Sequence, residues 1–163
     1  MSRLRWYGLF TGLLLLASSS PSLAELGYQT WGLRGGVGVD PDQGVIGIHW
    51  HLGNFTQRTR LQPNVEVGFG DNATIASLAI PVHYRFGSNP NYTPYAGGGV
   101  LLGYINYDKD KGDNSSDWFI EPLAVVGIEW PLSGGGDLCV ELDLSFGDAH
   151  DAKLMLGWMR RLR

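Results

Sequence analysis

Residues Leu138 to Phe146 alternate without a slip. Leu138, Val140, Leu142, Leu144 and Phe146 fall on one side of an extended chain, and Cys139, Glu141, Asp143 and Ser145 fall on the other. A strand buried on both faces does not read this way. Two settings do: a sheet with one face in water, or a membrane barrel with lipid outside and a polar lumen.

Seven more runs repeat the pattern, separated by turn residues. Thr30 to Val39 sets Trp31, Leu33, Val37 and Val39 against Thr30, Arg34 and glycines, and Val45 to Phe55 sets Ile46, Ile48, Trp50 and Leu52 against His49 and His51. Leu61 to Phe69 opposes Leu61, Val65, Val67 and Phe69 to Gln62, Asn64 and Glu66, with Pro63 near its start, where proline is tolerated. Thr74 to Phe86 opposes Ala76, Leu78, Ile80, Val82, Tyr84 and Phe86 to Ser77, Ala79, His83 and Arg85. Tyr95 to Tyr107 resists assignment, because Gly97, Gly98, Gly99 and the Val100-Leu101-Leu102 triplet leave both faces apolar or small. Trp118 to Leu132 opposes Trp118, Ile120, Val126, Ile128 and Trp130 to Glu121 and Glu129, and Lys153 to Arg161 opposes Leu154, Leu156 and Trp158 to Lys153, Met155 and Arg161.

Charge alone does not choose between water and lipid outside, since the charged face is ordinary if turned outward. Aromatic placement does. Trp118 and Trp130 cap one apolar face, Tyr84 and Phe86 another, and Trp31, Trp50 and Trp158 lie near strand ends; interfacial girdles produce this arrangement, and a small soluble core has no reason to. Runs of about 9 to 13 residues also suit tilted membrane crossings better than the usual 5 or 6 of soluble strands. Lipid offers no partner for a sheet edge, so eight strands have to close into an antiparallel up-and-down transmembrane β-barrel whose interior is largely filled by side chains. An even strand number places both termini on one side, which makes the Asp108 to Asp117 segment an external loop and Ser133 to Asp137 an internal turn.

The start of the chain changes the setting. Arg3 and Arg5, the apolar run Leu9 to Ala17 and the small-x-small end Ser22-Leu23-Ala24 have the layout of a signal peptide spanning residues 1–24, leaving a barrel domain over 25–163. Its removal leaves 10 basic residues against 16 acidic ones, a balance that argues against nucleic acid as a partner. Glycine, 24 of 163 residues, is about twice its usual share of about 7%, as tight turns and close strand contacts require. Cys139 is the one cysteine, so no internal disulfide forms and no cysteine stands beside the cleavage point to take a lipid.

Together the export signal, the eight runs, the Pro94-Tyr95-Ala96-Gly97-Gly98-Gly99-Val100 stretch and the closing Lys153-Leu154-Met155-Leu156-Gly157-Trp158 strand resemble the small outer-membrane β-barrel domain family, which includes OmpA-like, OmpX-like and opacity-type proteins. That resemblance implies a bacterial, Gram-negative outer membrane and a mostly non-enzymatic protein. Its implied partners are outer-membrane lipid, lipopolysaccharide and the barrel assembly machinery. The chain departs from the family in ending Met159-Arg160-Arg161-Leu162-Arg163 where an aromatic residue commonly stands.

The candidate functional residues are the inward polar set: Arg34, His49, His51, Glu66, His83, Arg85, Glu121, Glu129, Glu141, Asp143, Lys153 and Arg161. Its four Arg and Lys side chains against five carboxylates are nearly balanced, as an ion-paired plug requires. His49 and His51, with His83 as a third, have zinc-compatible spacing, but the abundance of nearby carboxylates and arginines favours a hydrogen-bonded lumen network without metal or cofactor. Asp108 and Asp110 suggest a calcium loop until Gly112 and Phe119 are found at positions that need ligands. Asp40, Asp42, Asp71, Asp148 and Asp151 fall in other external connections, where divalent ions could bridge to lipopolysaccharide phosphates.

Two other functions compete with a non-enzymatic barrel serving envelope integrity or surface interaction through its external loops. A lipid A deacylase shares the strand order. Its His-x-Ser-Asn element would stand where this chain reads Asp143-Leu144-Ser145-Phe146-Gly147; the histidine is absent, and Ser145 faces the lumen instead of a membrane acyl ester. A soluble secreted or periplasmic barrel binding a small apolar ligand would turn the same strands inside out, and would be expected to show an early Gly-x-Trp, whereas here Gly32 follows Trp31.

Overall fold

The structure, a computed structural model, describes residues 25–40, 42–70, 73–87, 89–107, 116–147 and 152–160. Strands form as the alternation requires: β1 (Glu25–Val39), β2 (Gln43–Thr56), β3 (Thr59–Leu61), β4 (Asn64–Gly70), β5 (Ala73–Arg85), β6 (Thr93–Tyr107), β7 (Ser116–Leu132), β8 (Gly136–Ser145) and β9 (Ala152–Arg160). The nine segments make eight staves, because β3 and β4 are two halves of one. Pro63 has no N–H to give a neighbour, and the ladder breaks at Gln62 and Pro63. Both sides bridge the break: Trp50 N donates to Pro63 O at 2.8 Å, and Gln62 N donates to Pro81 O at 3.1 Å.

Every pairing is antiparallel, each stave joins its sequence neighbours, and β1 closes the ring by pairing with β9 from Gly32↔Met159 to Val39↔Ala152. No sheet edge runs the length of the wall. The first strand begins and the last ends at the same rim. Residues 57–58, 86–92 and 133–135 connect strands there, and residues 40–42, 71–72, 108–115 and 146–151 connect them at the far rim. The expected contrast of short internal turns and long external loops is therefore only partial, since two far-rim connections, 40–42 and 71–72, are short and 86–92 on the terminal rim is not. Gly135, at φ +84°, makes the β7–β8 turn, closed by Gly135 N donating to Leu132 O at 3.1 Å.

Facing follows the period of two. Large apolar side chains stand exposed all round the outside: Leu33, Val37, Ile46, Val65, Phe69, Ile80, Val126, Leu142, Leu154 and Leu156 among them. A soluble monomer does not turn large apolar side chains outward on strand after strand, and such a belt is what acyl chains would solvate. The soluble barrel with an apolar cavity needs Ile80 and Leu142 inside; they are 42% and 37% exposed, while Glu141 between its neighbours on β8 is 2% exposed.

The interior has two parts. Ala79, Tyr95, Leu101, Leu123 and Val125 form one buried apolar cluster and Ala73, Ile75 and Ile105 another, with Phe119 packed against both. These come from β5, β6 and β7. The face of β6 that the sequence left open is thus settled: Tyr95, Leu101 and Ile105 point in, and Val100 points out. Both faces of that strand are apolar because its inner one belongs to the apolar part of the lumen.

Candidate functional site

The ionic part of the lumen is built mainly by β1, β4, β8 and β9. Arg34 on β1 is its centre, 5% exposed and ringed by three carboxylates. Its Nε lies 2.8 Å from Glu66 Oε1, its Nη1 2.8 Å from Glu141 Oε1 and its Nη2 2.8 Å from Asp143 Oδ2. Lys153 on β9 pairs with Glu66 and sits 4.0 Å from Asp143 Oδ2. A guanidinium can serve three acids at once because its N–H groups diverge in a plane. Buried charge is costly unless paired and hydrogen-bonded, and here every ion pair joins two different strands.

A second cluster lies nearer the terminal rim. Glu129 on β7 accepts from Arg60 Nη1 at 2.6 Å and from Arg85 Nη2 at 2.5 Å. Tyr95 links the two clusters. Its hydroxyl donates to Glu141 Oε2 at 2.8 Å, the Arg60 guanidinium lies 5.1 Å from its ring centroid, and His83 stacks on it with centroids 4.9 Å apart. Bonded and stacked side chains consequently cross the lumen from Arg85 at the end of β5 to Lys153, the second residue of β9.

Glycines make room for these side chains. A Cβ at Gly32 would collide with the His49 ring, one at Gly47 with Glu66, and one at Gly127 with the Tyr95 phenol. Large inward residues thus lie over a glycine of the neighbouring strand, which explains why so many glycines fall on the polar face.

Of the sequence-derived set, Arg34, His49, Glu66, His83, Glu121, Glu129, Glu141, Asp143 and Lys153 are buried in the lumen; His51 and Arg85 are half-buried; Arg161 lies outside the described residues. The histidines have separate neighbours. His49 Nδ1 is 3.3 Å from Gln62 Nε2, His51 Nε2 is 3.2 Å from Asn54 Oδ1, and His83 lies on Tyr95. Among the described residues no group of three His, Cys, Asp or Glu side chains could hold a metal ion. Of the Asp108 to Asp117 segment only 116 and 117 are described, and Asp117 Oδ1 accepts from the Trp118 N–H at 2.8 Å. Asp40 and Asp42 lie at the far rim, whereas Asp71, Asp148 and Asp151 are outside the described residues. Ser145 is 7% exposed on the lumen face.

Arg60 was not in that set. The proline break shortens its strand to three residues, too few to show alternation, and the run read from the sequence begins at Leu61. Reading the polar period back through Glu66, Asn64 and Gln62 reaches Arg60 directly, and that period was the signal available.

The sequence matches no protein-family model and no curated protein. The fold does match solved structures. The N-terminal β-barrel domain of Pseudomonas aeruginosa OprF superposes with a TM-score of 0.70 at 13% identity, over 82% of this chain and 96% of that one. Neisserial surface protein A gives 0.62 at 12% identity over 83% and 96%, and a de novo designed transmembrane β-barrel gives 0.57 at 16% identity over 84% and 97%. The chain has the eight-stranded fold of the small outer-membrane barrels.

Proposed function

We propose that this chain is a non-enzymatic outer-membrane protein that strengthens the envelope as a plugged barrel, seated in outer-membrane lipid and lipopolysaccharide. The observation that carries this reading is the opposed chemistry of the two wall surfaces, Arg34 and its carboxylates inside and an uninterrupted apolar belt outside. It is supported by the shared fold of OprF's barrel domain and Neisserial surface protein A, and by the export signal at residues 1–24. The far rim then faces outward, and its loops, together with lipopolysaccharide, are the surface available to partners. Delivery falls to the barrel assembly machinery, and the closed ring needs no second copy. With the lumen crossed by ion pairs, the barrel holds its place without passing solutes.

Fractionating cells that express the full chain tests this. The protein should sediment with the outer membrane, resist extraction by urea, and run at different mobilities in gels with and without heating. Purified into planar bilayers, it should give no steady porin-sized conductance. A form soluble without detergent, or a large open-channel current, would overturn the proposal.

A further inference from the structure

The terminal rim holds a cavity of about 330 Å³ that the lumen network does not fill. Gln57 and Arg58 of the β2–β3 turn, Arg85 at the end of β5, Asn89 of the 86–92 connection and Thr93 line one part of it; Glu129 and Asp137 are the carboxylates in its wall. Donors outnumber free acceptors here. Glu129 is already engaged by Arg60 and Arg85. Asn89 spends its carbonyl oxygen on the Asn91 N–H at 2.9 Å, which leaves its amide nitrogen as a donor.

Arg85 is fixed but not saturated. Its Nη2 is pinned to Glu129, its side chain is still 37% exposed, and its Nε is buried without a hydrogen-bond partner among the described residues. Arg58 is exposed, and among the described residues its guanidinium makes a 3.4 Å contact from Nη1 to the Tyr84 hydroxyl. Two guanidiniums on neighbouring backbone, the Arg85 N–H donating to Arg58 O at 2.8 Å, one of them pre-oriented by a carboxylate behind it, can meet a planar or tetrahedral oxyanion with several N–H donors at once.

We propose that this cavity is a binding site for an oxyanion, a phosphate or a carboxylate, gripped between Arg58 and Arg85 at the barrel's terminal mouth. The side chains that oppose it are Asp137 and Glu129. Glu129 is neutralised by its two arginines. In an outer-membrane setting the oxyanion comes either from a phospholipid headgroup of the inner leaflet or from a free anionic solute beneath it. The site itself requires only a folded barrel and stands apart from the question of where the barrel resides.

Titration of the full chain in neutral detergent, with inorganic phosphate, acetate and glycerophosphoglycerol as separate probes, tests the site by calorimetry. Saturable binding of at least one probe is expected, weakened about tenfold or more by Arg58→Gln and by Arg85→Gln. The rim control Arg160→Gln should leave it unchanged. Preference for glycerophosphoglycerol identifies a headgroup, and equal or better binding of phosphate or acetate identifies a solute. Heat-shifted gel mobility verifies that each variant is folded. No saturable binding to any probe, or an equal loss in Arg160→Gln, would overturn the proposal.

Discussion

Tyr95 and Glu141 are joined by a 2.8 Å hydrogen bond that spans an intervening strand. Gly127 pairs with Tyr95 on one side and with Glu141 on the other, so the three residues lie in one row across β6, β7 and β8. The phenol crosses that row because nothing rises from Gly127 to stop it. Gly127→Val should cost about 1 to 3 kcal/mol by overpacking, measured by urea unfolding of the barrel in lipid vesicles. A loss no larger than that of a Gly98→Val control, at an outward position, would contradict this packing.

Removing only the hydroxyl separates the bond from the space. Tyr95→Phe keeps the ring between His83 and Arg60 but takes a donor from a buried carboxylate, and hydrogen bonds to charged groups are worth about 1.5 to 3 kcal/mol. A stability loss in that range is expected, with the fold intact by circular dichroism.

Arg34 is the cation that three acids share. Arg34→Met leaves Glu66 and Asp143 with Lys153 and Glu141 with the Tyr95 hydroxyl, and stripping one partner from a buried ionic group costs about 3 to 5 kcal/mol. In a double-mutant cycle, adding Glu141→Gln should recover part of that loss. Strict additivity would mean that the two side chains do not interact.

Adjacent residues on β8 should behave oppositely. Leu142→Arg puts a charge against lipid, at about 2 to 4 kcal/mol near the midplane. Asp143→Asn replaces one of three crowded acids with a neutral group of the same shape and should cost much less. Equal losses in vesicle unfolding would mean that the facing is wrong.

Cys139 reports on the lumen directly. It is 6% exposed, so a maleimide should fail to label the folded barrel and should label it fully in denaturant. Cysteine at Val140, the next position, should instead be reached by a lipid-soluble reagent in the folded state.

The sequence carried most of this architecture because a barrel wall has one period and two solvents. Where the lumen is ionic, as along β8, each residue type declares its side. Where the lumen is apolar, as behind Tyr95, Leu101 and Ile105, the two sides of β6 have the same chemistry and the pattern is mute. Arg60 was hidden for another reason, a proline that cut its strand to a length at which alternation cannot be recognised. The bonds themselves, such as Arg34 to carboxylates 32 to 109 positions away in the chain, depend on which strands close into neighbours, and no local pattern encodes that.

The seam between β1 and β9 sets the order of assembly. The strand synthesised first can find its final neighbour only when the last one arrives, so until then the growing sheet has two raw borders, each able to recruit a stray chain. Joining them brings together the most distant partners in the protein, which makes ring closure the slow, late event. A variant that weakens the Gly36↔Met155 region should therefore accumulate as an unsealed sheet long before any defect shows in the finished barrel.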